Sequence, residues 1–133
     1  MPNALRTAVP AGDWRSLKFV ASVPIVGIKD GIDTGVSYLY NVNDTVGAAL
    51  ESGAIGDSVV LIYHAEKILV PKKAVAMGLG QRVWWDPAVR DVTVNQAANF
   101  FLIGIVTENA AAADDYVEID LHGDHRILGA DLT

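Results

Sequence analysis

Two runs of consecutive apolar residues constrain this chain more than anything else in it: VVLIY at residues 59–63 and FFLIGIV at residues 100–106. β-Branched and aromatic side chains dominate both, so both read as strands, whose side chains point alternately to two faces. A strand without a polar face has to be covered on both sides. In a small antiparallel domain that cover is a second sheet or a second subunit. Gly104, inside the second run, marks a bulge or a close backbone approach.

Around these runs the chain alternates short strand-like pieces with turns. Residues 1–16 keep no period, and Pro2, Pro10 and Gly12 interrupt regular structure there. They read either as a loose terminus or as an arm that orders on a neighbouring subunit, with Leu5, Val9 and Trp14 as its apolar anchors. Residues 17–23 and 25–28 are β-branched, and residues 29–35 form a glycine-containing turn cluster. Residues 36–42 alternate, which puts Val36, Tyr38, Tyr40 and Val42 on one face. Residues 45–51 fit either a strand or a short helix that Thr45 would cap and Gly47 would weaken.

Beyond His64, Ala65 and Glu66 suggest a tight reversal into a strand that Pro71 ends, and residues 72–78 suggest a brief helix capped by Gly78. In RVWWD at residues 82–86, alternation directs Val83 and Trp85 inward and Arg82, Trp84 and Asp86 outward. Trp84 is therefore a candidate contact residue, since a partly exposed tryptophan anchors interfaces; the alternative is that both indoles simply pack against neighbouring loops. Residues 89–94 read as a short strand. In residues 116–122, Val117, Ile119 and Leu121 face in while Tyr116, Glu118, Asp120 and His122 face out. The pattern predicts an all-β fold: an antiparallel β-sandwich, jelly roll or small barrel, with an extended N-terminal arm and at most one short helix. Its divisions are an arm at 1–16, a β domain at 17–123 and a tail at 124–133.

Composition narrows the function. Cysteine is absent, which excludes disulfides and thiol chemistry. Sixteen acidic against ten basic residues leave a net charge of −6 with neither sign in a run, so phosphate backbones and anionic membranes are repelled. No nucleic-acid or membrane partner is expected, and neither an apolar leader nor a segment long enough to span a bilayer is evident; the chain reads as soluble and unsecreted. Hydrophobic residues make up 51% and charged residues 20%, below the usual ~25%, which points to apolar surface hidden against other chains.

Reactive constellations are weak. There is no Gly-x-Ser-x-Gly elbow, and Asp114 and Asp115 sit in an alanine loop that offers nothing to desolvate them. Gly78 and Gly80 lack the third glycine of a phosphate-binding turn and precede a strand. Asp120, His122, Asp124 and His125 lie within six residues, yet a structural zinc site needs four fixed ligands. Arg82, Arg90, Lys72 and Lys73 form at most a modest basic edge. No enzyme, cofactor or metal is expected.

The second half of the chain resembles a known family. The strings KILVPK at 67–72, GQRVWWD at 80–86, VT at 92–93, IGIV at 103–106 and VEIDLHG at 117–123 occur in an order and spacing similar to tailed-bacteriophage capsid cement, or decoration, proteins, long catalogued as a domain of unknown function. The resemblance covers about residues 58–123, and residues 1–57 depart from the pattern. It implies a β-sandwich or barrel that binds the outside of a phage head as a dimer or trimer and holds major capsid protein subunits together, located on the virion surface after assembly in the host cytoplasm. Interface candidates are Leu5, Val9 and Trp14 of the arm, Val60, Ile62, Leu102 and Val106 of the apolar runs, and Arg82 with Trp84. The competing expectation is a carbohydrate-binding module with Trp84, Tyr38 and Tyr40 as its stacking platform.

Overall fold

The computed structural model describes residues 11–124; Leu5, Val9 and His125 lie outside the described residues. Among these, the strands are β1 Ala11–Val20, β2 Leu39–Val42, β3 Thr45–Ala49, β4 Ser58–Pro71, β5 Arg82–Trp85, β6 Val92–Thr93, β7 Phe101–Val106 and β8 Tyr116–His122, with one short helix, α1 Ile28–Thr34. They form one antiparallel sheet in the order β2-β3-β4-β8-β7-β5-β6, to which β1 adds by pairing with β4. The far edge curls back: Val92 of β6 bridges Lys72, and Lys73 N–H donates to the Val92 carbonyl at 2.8 Å. The result is a curled half-barrel, the small-barrel form of the expected all-β fold.

β4 is the spine. The reversal expected at Ala65 and Glu66 does not occur, because Ala65 is locked into ladders on both edges, opposite Trp14 of β1 and Leu121 of β8. The polar pair is absorbed instead by a register slip against β8 between Ala65 and Ile68, which leaves Glu66 and Lys67 in solvent. Along one edge of β4 runs β1; along the other run β3 at Leu61 and Ile62 and then β8 from His64 to Pro71.

The unbroken apolar run of β4 is covered within the chain. Ile62, Ile68 and Val70 enter the barrel core with Tyr38, Val83, Ile103 and Ile119. Val59 and Leu61, on the other face, join Ala21, Ile25, Tyr40 and Ala49 in a second cluster. A second subunit is therefore not needed to cover β4. In β7, Phe101, Ile103 and Val106 are buried, Leu102 is half-buried and Ile105 is 47% exposed.

Several local expectations give way to tertiary structure. The first strand starts at Ala11, inside the expected arm, because pairing with β4 supplies the hydrogen bonds that Gly12 alone would not favour. Residues 28–34 form α1 rather than a turn, ended by Gly35 in the left-handed region at φ 73°. The strand expected over 36–42 begins only at Leu39 and leaves Val36 exposed. β2 and β3 make a hairpin through Asn43 and Asp44 at φ 50° and 70°, which resolves residues 45–49 as strand. No helix forms over 72–78, since Lys73 N–H is taken by Val92 and Met77 pairs with Ala110. Tyr116 is buried rather than outward.

The close approach expected at Gly104 is present: a Cβ there would lie 2.1 Å from the Asp120 carbonyl of β8. Gly104→Ala is accordingly expected to lower unfolding stability by about 1–3 kcal/mol or more in urea denaturation, with no such loss for Gly78→Ala, where the nearest atom belongs to the movable Gln81 side chain.

Candidate interaction surface

The tryptophan pair does not divide as alternation predicts. Trp85 is 2% exposed and meets Phe101 edge-on at 5.7 Å, while Trp84 is 3% exposed. The ladder to β7 slips between Val83, opposite Gly104, and Trp84, opposite Leu102, so the simple alternation of β5 fails at this point. Neither indole is open to a partner. Arg82 does point to solvent, opposite the exposed Ile105, which in turn pairs with Asp120.

The carbohydrate platform also dissolves. Tyr38 is fully buried, its hydroxyl donates to the Leu69 carbonyl at 2.7 Å, and burial together with Tyr116 pushes its phenol pKa up. Tyr40 is 9% exposed; its hydroxyl accepts from Val26 N–H at 2.8 Å and the Arg90 guanidinium lies 4.5 Å from its ring centroid. With Trp84 covered too, the three rings offer no shared stacking face.

The basic edge is spent internally. Lys72 Nζ donates to the carbonyls of Ala111, Ala112 and Asp114 and so pins the 110–115 loop; burial lowers its pKa against the opposing pull of Asp114 and Asp115. Lys73 Nζ pairs with Asp86 at 2.8 Å and Asp91 at 3.3 Å. Burial alone would raise the Asp86 carboxyl, yet Lys73 and the Ala88 N–H outweigh it and hold it below the usual carboxylate range. Across the β4–β8 ladder, His64 and His122 meet edge-on at 4.3 Å and Asp120 lies 3.0 Å from His122 Nε2. No group of three or more metal-binding side chains occurs among the described residues.

Of the other interface candidates, Ile62 and Val106 are inside the subunit at 1% exposure or less, and Val60 and Leu102 are half-buried. Trp14 is 40% exposed on β1, with Arg15 and Lys18 also in solvent. Among the described residues, the outer edge of β1 has no ladder partner. Beyond it, Val20, Val23 and Ile55 stand exposed at one end of the molecule, where Ala21 exchanges backbone hydrogen bonds with Gly56 and Asp57. The sequence signal for this surface was available in Ser16, Leu17, Lys18 and Phe19, whose polar-apolar alternation marks a half-covered strand.

A family model for phage cement proteins matches residues 8–121. The chain belongs to the phage cement protein family. The match begins at residue 8, so residues 8–57 are part of the family pattern rather than a departure from it. No curated protein and no solved structure matches the chain. As a member of this structural family, the cement protein is associated with a bacteriophage capsid.

Two outcomes follow for the cement protein. Trp84→Ala is expected to cost about 3–5 kcal/mol of stability, visible as a lower urea midpoint, because it empties a covered site. Asp86 has a depressed folded-state pKa, so its contribution is complete above about pH 4 and is lost as pH falls through the folded value. Asp86→Asn should therefore cost about 1–2 kcal/mol at pH 7, and its loss of stability below pH 4 should be shallower than that of the unaltered protein.

Proposed function

We propose that the protein binds the outer surface of the phage head and ties neighbouring major capsid protein subunits together, with β1 as the contact strand. The observation that carries this reading is the open outer edge of β1 beside the exposed Trp14. An unpaired edge presents a row of N–H and C=O groups that a partner strand can complete, and a flanking tryptophan supplies apolar area. Arg15 and Lys18 on the same strand favour an acidic partner segment and discourage indiscriminate edge pairing. Leu5 and Val9, which precede β1 in sequence, are included in the proposed contact, as is the exposed Arg82 as a secondary one.

Self-association into a small homo-oligomer is part of the proposal. It is assigned to exposed residues such as Ile105 rather than to the interior of β4 or β7, because those runs are covered by their own subunit. Cement work requires shape and repetition rather than reactive groups. A buried Val, Leu or Ile contributes roughly 1.5–3 kcal/mol before association costs, so a modest contact repeated over a shell adds large collective stability.

Co-sedimentation with heads lacking the protein tests this. Trp14→Asp is expected to weaken head binding about tenfold or more while leaving the melting temperature nearly unchanged. Equal binding by the variant would remove β1 from the interface, and failure of the unaltered protein to co-sediment would remove the cement reading itself.

A further inference from the structure

A groove of about 670 Å³ lies between β1 and β2. Residues 17–20 of β1 line one side, and residues 40–43, from β2 and its turn, line the other. A cleft over a sheet face meets alternate side chains, whereas this one meets successive residues of both strands and, among the described residues, none of β4. The groove therefore runs along strand edges. Its lining is mixed: Lys18, Ser22, Asn41 and Thr45 share it with Phe19 and Val42.

Ladder phase decides which backbone groups reach the groove, because residues of an antiparallel pair alternate between exchanging hydrogen bonds and pointing their N–H and C=O away. The Ala21 N–H donates to the Asp57 carbonyl at 2.9 Å, so Phe19 and Leu17 bond to β4 while Ser16, Lys18 and Val20 turn outward. Val60, opposite Lys18, accepts from the Leu50 N–H at 2.9 Å on its other side, as that phase requires. On β2 the Ala49 N–H donates to the Tyr38 carbonyl at 2.9 Å, so Tyr40 and Val42 bond to β3 while Leu39 and Asn41 point outward. Arg90 Nη1 caps the Leu39 carbonyl at 3.3 Å. Among the described residues, the outward backbone groups of Asn41 on one side of the groove and of Lys18 and Val20 on the other have no ladder partner.

We propose that an extended segment of the major capsid protein inserts between β1 and β2 and pairs with both edges. This rests on the proposed capsid role of β1, and adds β2 and the chemistry of the partner. The successive pairings make β1 and β2 antiparallel to each other, so the inserted strand is parallel to one and antiparallel to the other. Its inward side chains meet Leu17, Phe19 and Val42, the half-covered margin of the second cluster, and are apolar. Its outward ones lie beside Lys18 and Asn41 and are polar, with an acidic residue opposite Lys18. The mixed lining suits such an alternating segment, whose main chain supplies affinity and whose side chains supply specificity. A second copy of β1 suits the groove poorly, because the charged residues between Trp14 and Val20 are Arg15 and Lys18, and pairing two such strands sets cations against cations.

Amide hydrogen exchange by mass spectrometry, on the isolated protein and on heads that carry it, tests the insertion. Peptides covering residues 14–20 and 39–43 are both expected to gain slow amides on head binding, Asn41 among them, with exchange slowed at least tenfold. New protection in β1 alone would leave β1 as the capsid contact and overturn the inserted strand. Protection of Lys18 and Asn41 already present in the isolated protein would assign the groove to a second copy or to the chain itself and overturn it too. A protein that fails to co-sediment with heads overturns both readings. Asn41→Pro removes an N–H that the β2–β3 ladder does not use, so the variant is expected to keep its fold by circular dichroism and to bind heads about tenfold or more weakly. Unchanged binding by the folded variant would overturn the proposal, and should the variant not fold, the exchange measurement decides.

Discussion

β4 has ladder partners on both edges over much of its length and apolar side chains on both faces, and the rest of the structure is arranged by that enclosure. Ile62, Ile68 and Val70 on one face set the barrel core, while Val59 and Leu61 on the other set the second cluster. Because antiparallel neighbours must match its register, β1, β3 and β8 are placed directly by β4, and β7, β5 and β6 follow outward from β8. The sheet then has only two ways to protect its ends. β6 does so by returning to Lys72 and Lys73; β1 and β2 do not, and among the described residues each pairs along one edge alone, β1 with β4 and β2 with β3. The proposed capsid contact is therefore a consequence of how the spine is satisfied, since β1 covers one edge of β4 and leaves its own outer edge unpaired.

Charge is used in the same internal way. Lys72 holds three loop carbonyls, Lys73 joins Asp86 to Asp91, and Arg90 lies over Tyr40 while donating to the Leu39 carbonyl. These cations stitch the loops after β4, β5 and β7 to the barrel, where regular ladders are short. A basic surface for nucleic acid is not assembled from them. What remains exposed is a mixed apolar and polar surface, the character of many protein–protein contacts.

Much of the fold was legible from pattern. The alternation of Val117, Ile119 and Leu121, the two apolar runs, the inward Trp85 and the tight approach at Gly104 are all present in the structure. Where reading failed, a tertiary constraint overrode a local one. Trp84 is buried because the β5–β7 register slips at that residue, which no alternation rule can see. Ala65 and Glu66 look like a turn until ladders on both edges hold the strand straight through them. Residues 72–78 have helical composition but spend their N–H groups on Val92 and Ala110. β1 was hidden by Pro10 and Gly12, although its later half carries a visible alternation. The candidate site was less legible than the fold, because aromatic rings that look like recognition surface in sequence turned out to be core.

The proposed role of β1 as the capsid contact is measured directly by amide hydrogen exchange of the protein free and bound to phage heads. Ladder pairing with β4 already protects one set of β1 amides; head binding is expected to add protection to the outward-facing set between Trp14 and Val20. Exchange in β1 that stays the same on binding, with new protection confined to another part of the molecule, would contradict it.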